Sequence, residues 1–142
     1  MRRVRILFQI GAWSFILLGM GHLGSQIAFM LSSDPLPPVI QAMSEFIAPL
    51  PGSSIDLLSL HNGFSLMMGI LLVAVGVLNL FVCGLVPDFP LRSGRVIAFN
   101  IGLSALTLLI AIKFFFLVPV VFSLFALVFY SGAFIASVRL LR

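Results

Sequence analysis

Four long apolar runs, almost free of charged side chains, dominate this sequence. They cover residues 6–31, 57–85, 96–116 and 119–138. A helix needs about 20 mostly apolar residues to cross a bilayer, so each run is long enough for one span. Hydrophobic residues make up 61% of the 142 positions and charged residues only 8%, whereas an ordinary soluble domain is about 25% charged. The pattern excludes a water-soluble globule and predicts an all-α polytopic membrane protein.

The spacing of the runs predicts one domain over residues 1–142, a bundle of four transmembrane helices with one outer loop. This loop, residues 32–56, contains five prolines, which interrupt any continuous helix. Within it, apolar residues recur at helical spacing and predict a short amphipathic helix on the membrane surface; they are Val39, Ile40, Met43, Phe46 and Ile47. We expect this helix to be an interfacial anchor, and the alternative is a lid over the outer end of the bundle.

The charged side chains alternate along the chain in a way that predicts orientation. Seven of the eight basic residues lie in the segments 2–5, 92–95 and 139–142, whereas three of the four acidic residues lie in the segment 34–56. Short loops rich in Lys and Arg remain cytoplasmic. We therefore expect a multi-pass protein of the bacterial cytoplasmic (inner) membrane with both termini cytoplasmic. The net charge of +4 then reflects orientation, and no nucleic-acid partner is expected.

Small and polar residues mark the face of each span that is expected to pack inward, because apolar residues face lipid freely. Each span carries one such stripe. The stripes are Gly11, Phe15, Leu18, Gly19, His22 and Gln26 in the first span; His61, Ser65, Met68, Leu72 and Asn79 in the second; Asn100, Ser104, Thr107 and Ala111 in the third; and Ser123, Leu127, Tyr130, Phe134 and Ser137 in the fourth.

Three amides form a predicted structural layer near the cytoplasmic ends of the spans. Gln9, Asn79 and Asn100 are placed at similar depth, and side-chain amides commonly hydrogen-bond between membrane helices. We expect this layer to hold helices together and assign it no chemistry.

His22 and His61 form the one pair that the sequence offers for ligand chemistry, since both fall on inward stripes near the outer ends of their spans. Ionisable groups within spans are functional candidates. Two facing imidazoles suit axial ligation of haem b, a metal ion with further ligands, or hydrogen bonding to a quinone. The alternative is a structural or interfacial histidine pair. Residue counts from the span ends place His22 deeper than His61.

The glycines near His22 match a G-x-G-x-x-G pattern over residues 19–24. A dinucleotide site would need that pattern between a strand and a helix, so we interpret it as a close helix contact, with Gly69 and Gly76 as counterparts on the second span. Cys83 is the sole cysteine, which excludes an intramolecular dithiol pair. No acidic residue lies within a span, which disfavours a charge-driven pump.

The segment Asp56 to Leu80, DLLSLHNGFSLMMGILLVAVGVLNL, with the glycine-flanked His22, resembles a group of uncharacterised bacterial four-span inner-membrane proteins. DoxX-like four-span proteins share the general size and layout, which is an analogy of fold alone. The resemblance implies no specific activity. We expect a non-catalytic accessory or scaffold subunit in the lipid bilayer, packed against other membrane subunits or a second copy. The alternative is a redox or small-ligand binding protein that uses His22 and His61.

Overall fold

The computed structural model describes residues 1–48, 52 and 54–140. Its helices are α1 (Arg2–Leu31), α2 (Pro38–Glu45), α3 (Leu57–Leu85), α4 (Phe89–Arg92), α5 (Gly94–Phe114) and α6 (Leu117–Leu140). The helices α1, α3, α5 and α6 are each long and apolar enough to cross a membrane. The predicted all-α, four-helix, multi-pass architecture is confirmed. The short helix of the loop is present as α2, but it ends at Glu45, so that Phe46, with extended backbone, and Ile47 lie beyond it.

The helix ends differ from the predicted spans where polar or turn-forming residues decide them. The helix α1 begins at Arg2 and not at Ile6, because arginine is itself a good helix former. The helix α5 ends at Phe114, two residues early, since Phe115 adopts extended backbone with φ −124° and ψ 171°. Pro119 lies in the first turn of α6, where its missing N–H removes no helical hydrogen bond.

The four spans run up and down, so the bundle has two distinct ends. The end where α1 and α5 begin and α3 and α6 finish is called the arginine end, and the opposite end is called the histidine end. Close backbone packing joins α1 to α3, α1 to α6, and α5 to α6. Within the described part of the chain, α3 and α5 approach each other far less closely. The bundle is therefore tightly packed around α1 and α6 and looser between α3 and α5.

Glycines allow the backbones of α1 and α3 to touch. A Cβ atom on Gly19 would lie 2.8 Å from the carbonyl oxygen of Gly69, and one on Gly76 would lie 2.7 Å from that of Ala12. Real Cβ atoms do not approach backbone oxygens so closely, so any residue other than glycine at these positions would force the helices to shift. The predicted close contact is confirmed for Gly19, Gly69 and Gly76. A Cβ on Gly21 or Gly24 would meet nothing within 4 Å.

Aromatic rings fill the core at the arginine end. The ring centroid of Phe8 lies 4.7 Å from that of Phe89 and 5.1 Å from that of Tyr130. Gly11 makes room for the Tyr130 ring, which would come within 2.9 Å of a Cβ there. Arg5 Nη2 donates hydrogen bonds to the carbonyl oxygens of Val86, at 3.0 Å, and Pro87. The guanidinium thus ties the start of α1 to the turn that follows α3.

Most of the predicted inward residues are buried. The buried ones are Gly11, Phe15, Leu18, Gly19 and Gln26 on α1, Ser65 and Asn79 on α3, Asn100, Ser104 and Ala111 on α5, and Ser123, Tyr130 and Ser137 on α6. His61 and Phe134 are exposed, so these two side chains are not packed in the core as the stripes predict. His61 is only five residues into α3, before the helix reaches its close contact with α1.

Serine and aspartate behave differently at the helix starts. Ser54 and Asp56 both precede α3, and Asp56 Oδ1 accepts a hydrogen bond from the Ser59 N–H at 2.7 Å. Ser93 precedes α5 but makes no capping hydrogen bond, and its buried hydroxyl has no partner. Its backbone, with φ −88° and ψ 2°, departs from the extended form that directs a capping side chain toward the helix.

Candidate functional site

A cavity of about 550 Å³ opens at the histidine end between α1, α3 and the start of α6. Both candidate histidines line it. Its other polar lining residues come from α1 and α3, and its remaining wall is apolar. The lining residues are Leu17, Leu18, Gly21, His22, Ser25, Gln26, His61, Phe64, Ser65, Met68, Phe115, Phe116, Val118, Pro119 and Phe122. The structure therefore brings His22 and His61 to one cavity, with polar groups on one side and apolar groups on the other.

His22 is held in place by α3. Its Nε2 atom lies 2.9 Å from the hydroxyl oxygen of Ser65 and 3.1 Å from the Ser65 carbonyl oxygen. Ser65 is buried and His22 is half-buried. Because one residue of α3 offers both contacts to the same nitrogen, this imidazole links α1 to α3 beside the cavity.

His61 has a different environment from His22. Its side chain is exposed, and among the described residues it has no side-chain hydrogen bond of the kind that holds His22. Its ring nitrogens are therefore available to a ligand in the cavity. An imidazole can donate through one nitrogen and accept through the other when neutral, so His61 suits either kind of polar head group.

A second polar contact joins α1 and α3 one turn further toward the histidine end. The side-chain amide of Gln26 donates a hydrogen bond to Asn62 Oδ1 at 2.8 Å. Gln26 is 8% exposed, and it lines the cavity whereas Asn62 does not. The Gln26 and His22 contacts together hold the polar wall of the cavity rigid, which favours a preformed binding site.

The described parts of the loop between α1 and α3 lie away from the cavity. No residue of the described parts of 32–56 lines it, and α2 packs against α3 instead. Backbone hydrogen bonds between Ala48 and Ile55 and between Leu57 and Phe46, each 2.9 Å long, close the base of the loop. The described residues of the loop are thus tied back to the start of α3 and give the lid alternative no contact with this cavity.

The side chains at the cavity favour some ligands over others. Haem ligation through His22 Nε2 would break both contacts with Ser65. A zinc site usually needs three or four strong ligands, and the described residues contain no group of three His, Cys, Asp or Glu side chains suited to a metal ion. A neutral ligand that accepts or donates hydrogen bonds leaves the existing contacts intact.

The predicted amide layer lies apart from the cavity, toward the arginine end. Asn79 and Asn100 donate to each other's side-chain oxygens at 2.7 and 3.0 Å, and Asn79 also donates to the Tyr130 hydroxyl at 3.1 Å. Gln9 is exposed and takes no part, so its inclusion in the layer is wrong. Gln9 follows Phe8, which is fully buried, and one residue turns a helix by about 100°, which directs Gln9 away from the core.

The sequence did not indicate the second wall of the cavity. Phe115 and Phe116 come from the turn between α5 and α6, and Val118, Pro119 and Phe122 come from the first turns of α6. In a span that is apolar on every face, no periodicity distinguishes a cavity-lining residue from a lipid-facing one. Tyr130 was predicted to face inward, but its bond to the amide layer follows only from the packing of α6 against α1 and α5.

Comparisons with protein-family models, with curated proteins and with solved structures gave no match.

Proposed function

We propose that this chain is a membrane-embedded binding protein for a small amphipathic molecule with an apolar body and a hydrogen-bonding head group, as in a quinone. One observation carries the proposal: a single cavity of about 550 Å³ contains both histidines on an otherwise largely apolar wall. Small-molecule sites commonly measure about 300–1,000 Å³ and combine apolar lining with a few placed polar groups. The residues of this cavity meet both conditions.

The two histidines have separate roles in this proposal. His22, bonded to Ser65, orients the polar wall and keeps α1 beside α3. His61, exposed at the cavity, provides the hydrogen bond to the head group. The apolar body of the ligand lies against the aromatic and aliphatic side chains contributed by α6 and the turn before it, such as Phe116 and Phe122. Binding of this kind requires no catalytic group.

Two glycines on α1 offer a matched test of the cavity. Gly21 lines it and Gly24 does not, although a Cβ on either would meet nothing within 4 Å. We expect Gly21→Leu to weaken binding of decylubiquinone at least about tenfold, equivalent to 1.4 kcal/mol, because the leucine occupies the cavity. Gly24→Leu should bind normally. Calorimetric titration of the purified protein in detergent measures both affinities, and equal affinities or no saturable binding by the unaltered protein contradict the proposal.

Histidine variants test the division of roles. We expect His61→Ala to weaken decylubiquinone binding about fivefold, the effect of losing one hydrogen bond of roughly 1 kcal/mol, without a change in melting temperature. His22→Ala should weaken binding and also lower the melting temperature, because it removes the contacts with Ser65. Loss of stability in His61→Ala, or none in His22→Ala, would overturn this assignment.

The accessory-subunit function is our second candidate. The looser packing between α3 and α5 leaves an apolar cavity of about 400 Å³, lined on the α3 side by Met67, Met68 and Leu71. Flexible methionine side chains adapt to different packing partners. We propose that a helix of another membrane subunit, or of a second copy, packs at this opening.

Photocrosslinking in native membranes tests this second candidate. A photoreactive residue replacing Leu71 should yield one discrete protein adduct. The same replacement at Leu78, which is 61% exposed on the same helix but outside the cavity, should yield none. Lipid adducts alone at Leu71, or identical products at the two positions, would contradict a subunit contact there.

We further propose that the protein lies in the bacterial cytoplasmic membrane with both termini in the cytoplasm. The support is the distribution of arginines: Arg2, Arg3 and Arg5 start α1, Arg92 and Arg95 flank the start of α5, and Arg139 lies in the last turn of α6. All are at the arginine end. Loops rich in basic residues remain on the cytoplasmic side during insertion.

A further inference from the structure

A groove of about 490 Å³ runs along the lipid-facing side of α1 and α6 at the arginine end, far from the histidine cavity. Two arginines, Arg3 and Arg139, line it together with Leu7, Gly132 and Ala136. The side chains of the other described residues that line the groove are uncharged. The groove therefore combines a cationic rim with an apolar floor.

Small residues on α6 create this groove. Gly132 and Ala136 are four positions apart and so lie on the same face of the helix. A Cβ on Gly132 would meet only the end of the Leu7 side chain, at 3.6 Å, which is ordinary contact. Close packing of α6 against α1 thus does not require a glycine at position 132. Gly11 is different, because a Cβ there would lie 2.9 Å from the Tyr130 ring and clash with it.

The arginines at the rim are not used by the fold. Arg5 donates to the carbonyl oxygens of Val86 and Pro87, but across the described residues neither Arg3 nor Arg139 has a comparable side-chain hydrogen bond. Both side chains are exposed, and none of the described residues that line the groove is acidic. Two guanidinium groups therefore remain available to an anion at the boundary between the bundle and its surroundings.

We propose that this groove binds one anionic phospholipid, with its phosphate held by Arg3 and Arg139 and an acyl chain lying over Gly132 and Ala136. Guanidinium groups match phosphate oxygens through paired hydrogen bonds. Basic pockets between membrane helices are a recognised setting for acidic head groups. The lipid would bridge the first helix to the last and so stabilise the packing of α1 against α6.

Native mass spectrometry of the detergent-purified protein measures this binding directly. Phosphatidylglycerol and phosphatidylcholine with identical acyl chains are compared at one ionic strength. The unaltered protein should prefer phosphatidylglycerol about 30-fold, since each arginine near a charged lipid contributes roughly fivefold. In Arg3→Gln/Arg139→Gln the two lipids should bind about equally. The control Arg92→Gln/Arg95→Gln removes the same charge from the same end of the bundle outside the groove, and should keep the preference.

A second variant separates the groove from its charge. Gly132→Leu keeps both arginines but fills the apolar floor of the groove, so it should lower the occupancy of both lipids. Circular dichroism checks that each variant is folded. Three results would overturn the proposal: an unchanged preference in Arg3→Gln/Arg139→Gln, an equal loss in the control, or displacement of phosphatidylglycerol by excess inorganic phosphate together with normal binding in Gly132→Leu. The last result would identify a site for free phosphate.

Discussion

At the residue scale, the structure distinguishes two classes of glycine on α3: those at a close contact with α1 and those with open space around them. A Cβ on Gly76 would lie 2.5 Å from the Ile16 side chain and 2.7 Å from the Ala12 carbonyl oxygen, whereas one on Gly84 would meet nothing within 4 Å. We expect Gly76→Ala to cost about 1–3 kcal/mol through overpacking. Gly84→Ala should stabilise α3 by about 0.5–1 kcal/mol because alanine is the better helix former. Unfolding followed by circular dichroism in micelles measures both changes, and equal stability of the two variants would refute the close contact.

The amide layer also belongs to the residue scale. Asn79→Ala and Asn100→Ala each remove the reciprocal pair at 2.7 and 3.0 Å, and each should cost about 1–3 kcal/mol because a buried amide loses its partner. Since the two variants remove the same interaction, the double variant should cost less than the sum of the single costs. Gln9→Ala, at an exposed position, is the control and should change the free energy of unfolding by less than about 0.5 kcal/mol. Strict additivity would argue against the pair.

At the scale of the element, the start of α3 depends on one carboxylate outside the membrane-spanning part. The hydrogen bond from the Ser59 side chain, followed by the one from its backbone N–H, lowers the pKa of Asp56 below the ordinary value of 3.8. A lowered pKa in the folded state means that the ionised form stabilises the fold above about pH 4, and that this contribution is lost as the pH falls through the folded-state pKa.

The melting temperature of Asp56→Asn tests this cap. At pH 6 the variant should melt below the unaltered protein, since asparagine keeps a capping oxygen but lacks the charge favoured at a helix start. The difference should disappear as the pH is lowered from 4 through the folded-state pKa of Asp56. Ser54→Ala, which changes the other polar residue just before α3, should match the unaltered protein throughout this range. A difference for Asp56→Asn that stays constant with pH would show that ionisation is not the cause.

At the scale of the whole molecule, the arginine end should face the cytoplasm. A green fluorescent protein fused after residue 142 should fluoresce in a bacterial host, because that reporter becomes fluorescent when it folds in the cytoplasm. It does not become fluorescent when it is exported across the membrane in an unfolded form. A periplasmic reporter, alkaline phosphatase, inserted after residue 34 should be active, and the same insertion after residue 92 should be inactive. The reverse pattern would contradict the proposed orientation, which follows from the bias of Lys and Arg toward cytoplasmic loops.

Local chemistry explains which features were predictable from the sequence. Apolar runs of bilayer length predict the four spans, and the segment 57–85 coincides with α3. Prolines and polar residues predict the loop, and periodicity predicts α2. The contact of Gly19 with Gly69 follows from the rule that small residues permit close approach of membrane helices. These features depend on composition and spacing within short segments.

The candidate site needed information that short segments do not contain. Placing His22 and His61 on the same end was possible from the sequence, but the bond of His22 to Ser65 and the exposure of His61 depend on the crossing of α1 and α3. Likewise, Phe122 and Val118 line the cavity only because α6 packs beside α1. In apolar spans, no sequence signal separates a residue that faces a cavity from one that faces lipid.

The sequence by itself determined the fold class, the number of spans and the alternation of charge, because burial of apolar runs in a bilayer depends on each run alone. The tertiary structure decided which polar groups meet: it paired Asn79 with Asn100 and Tyr130 and excluded Gln9. It also kept the backbones of α3 and α5 further apart than those of the other neighbouring spans, and it placed a cavity at one end and a cationic groove at the other. Each of these outcomes depends on helix rotation and on contacts between side chains that are distant in sequence, and packing between helices decides both.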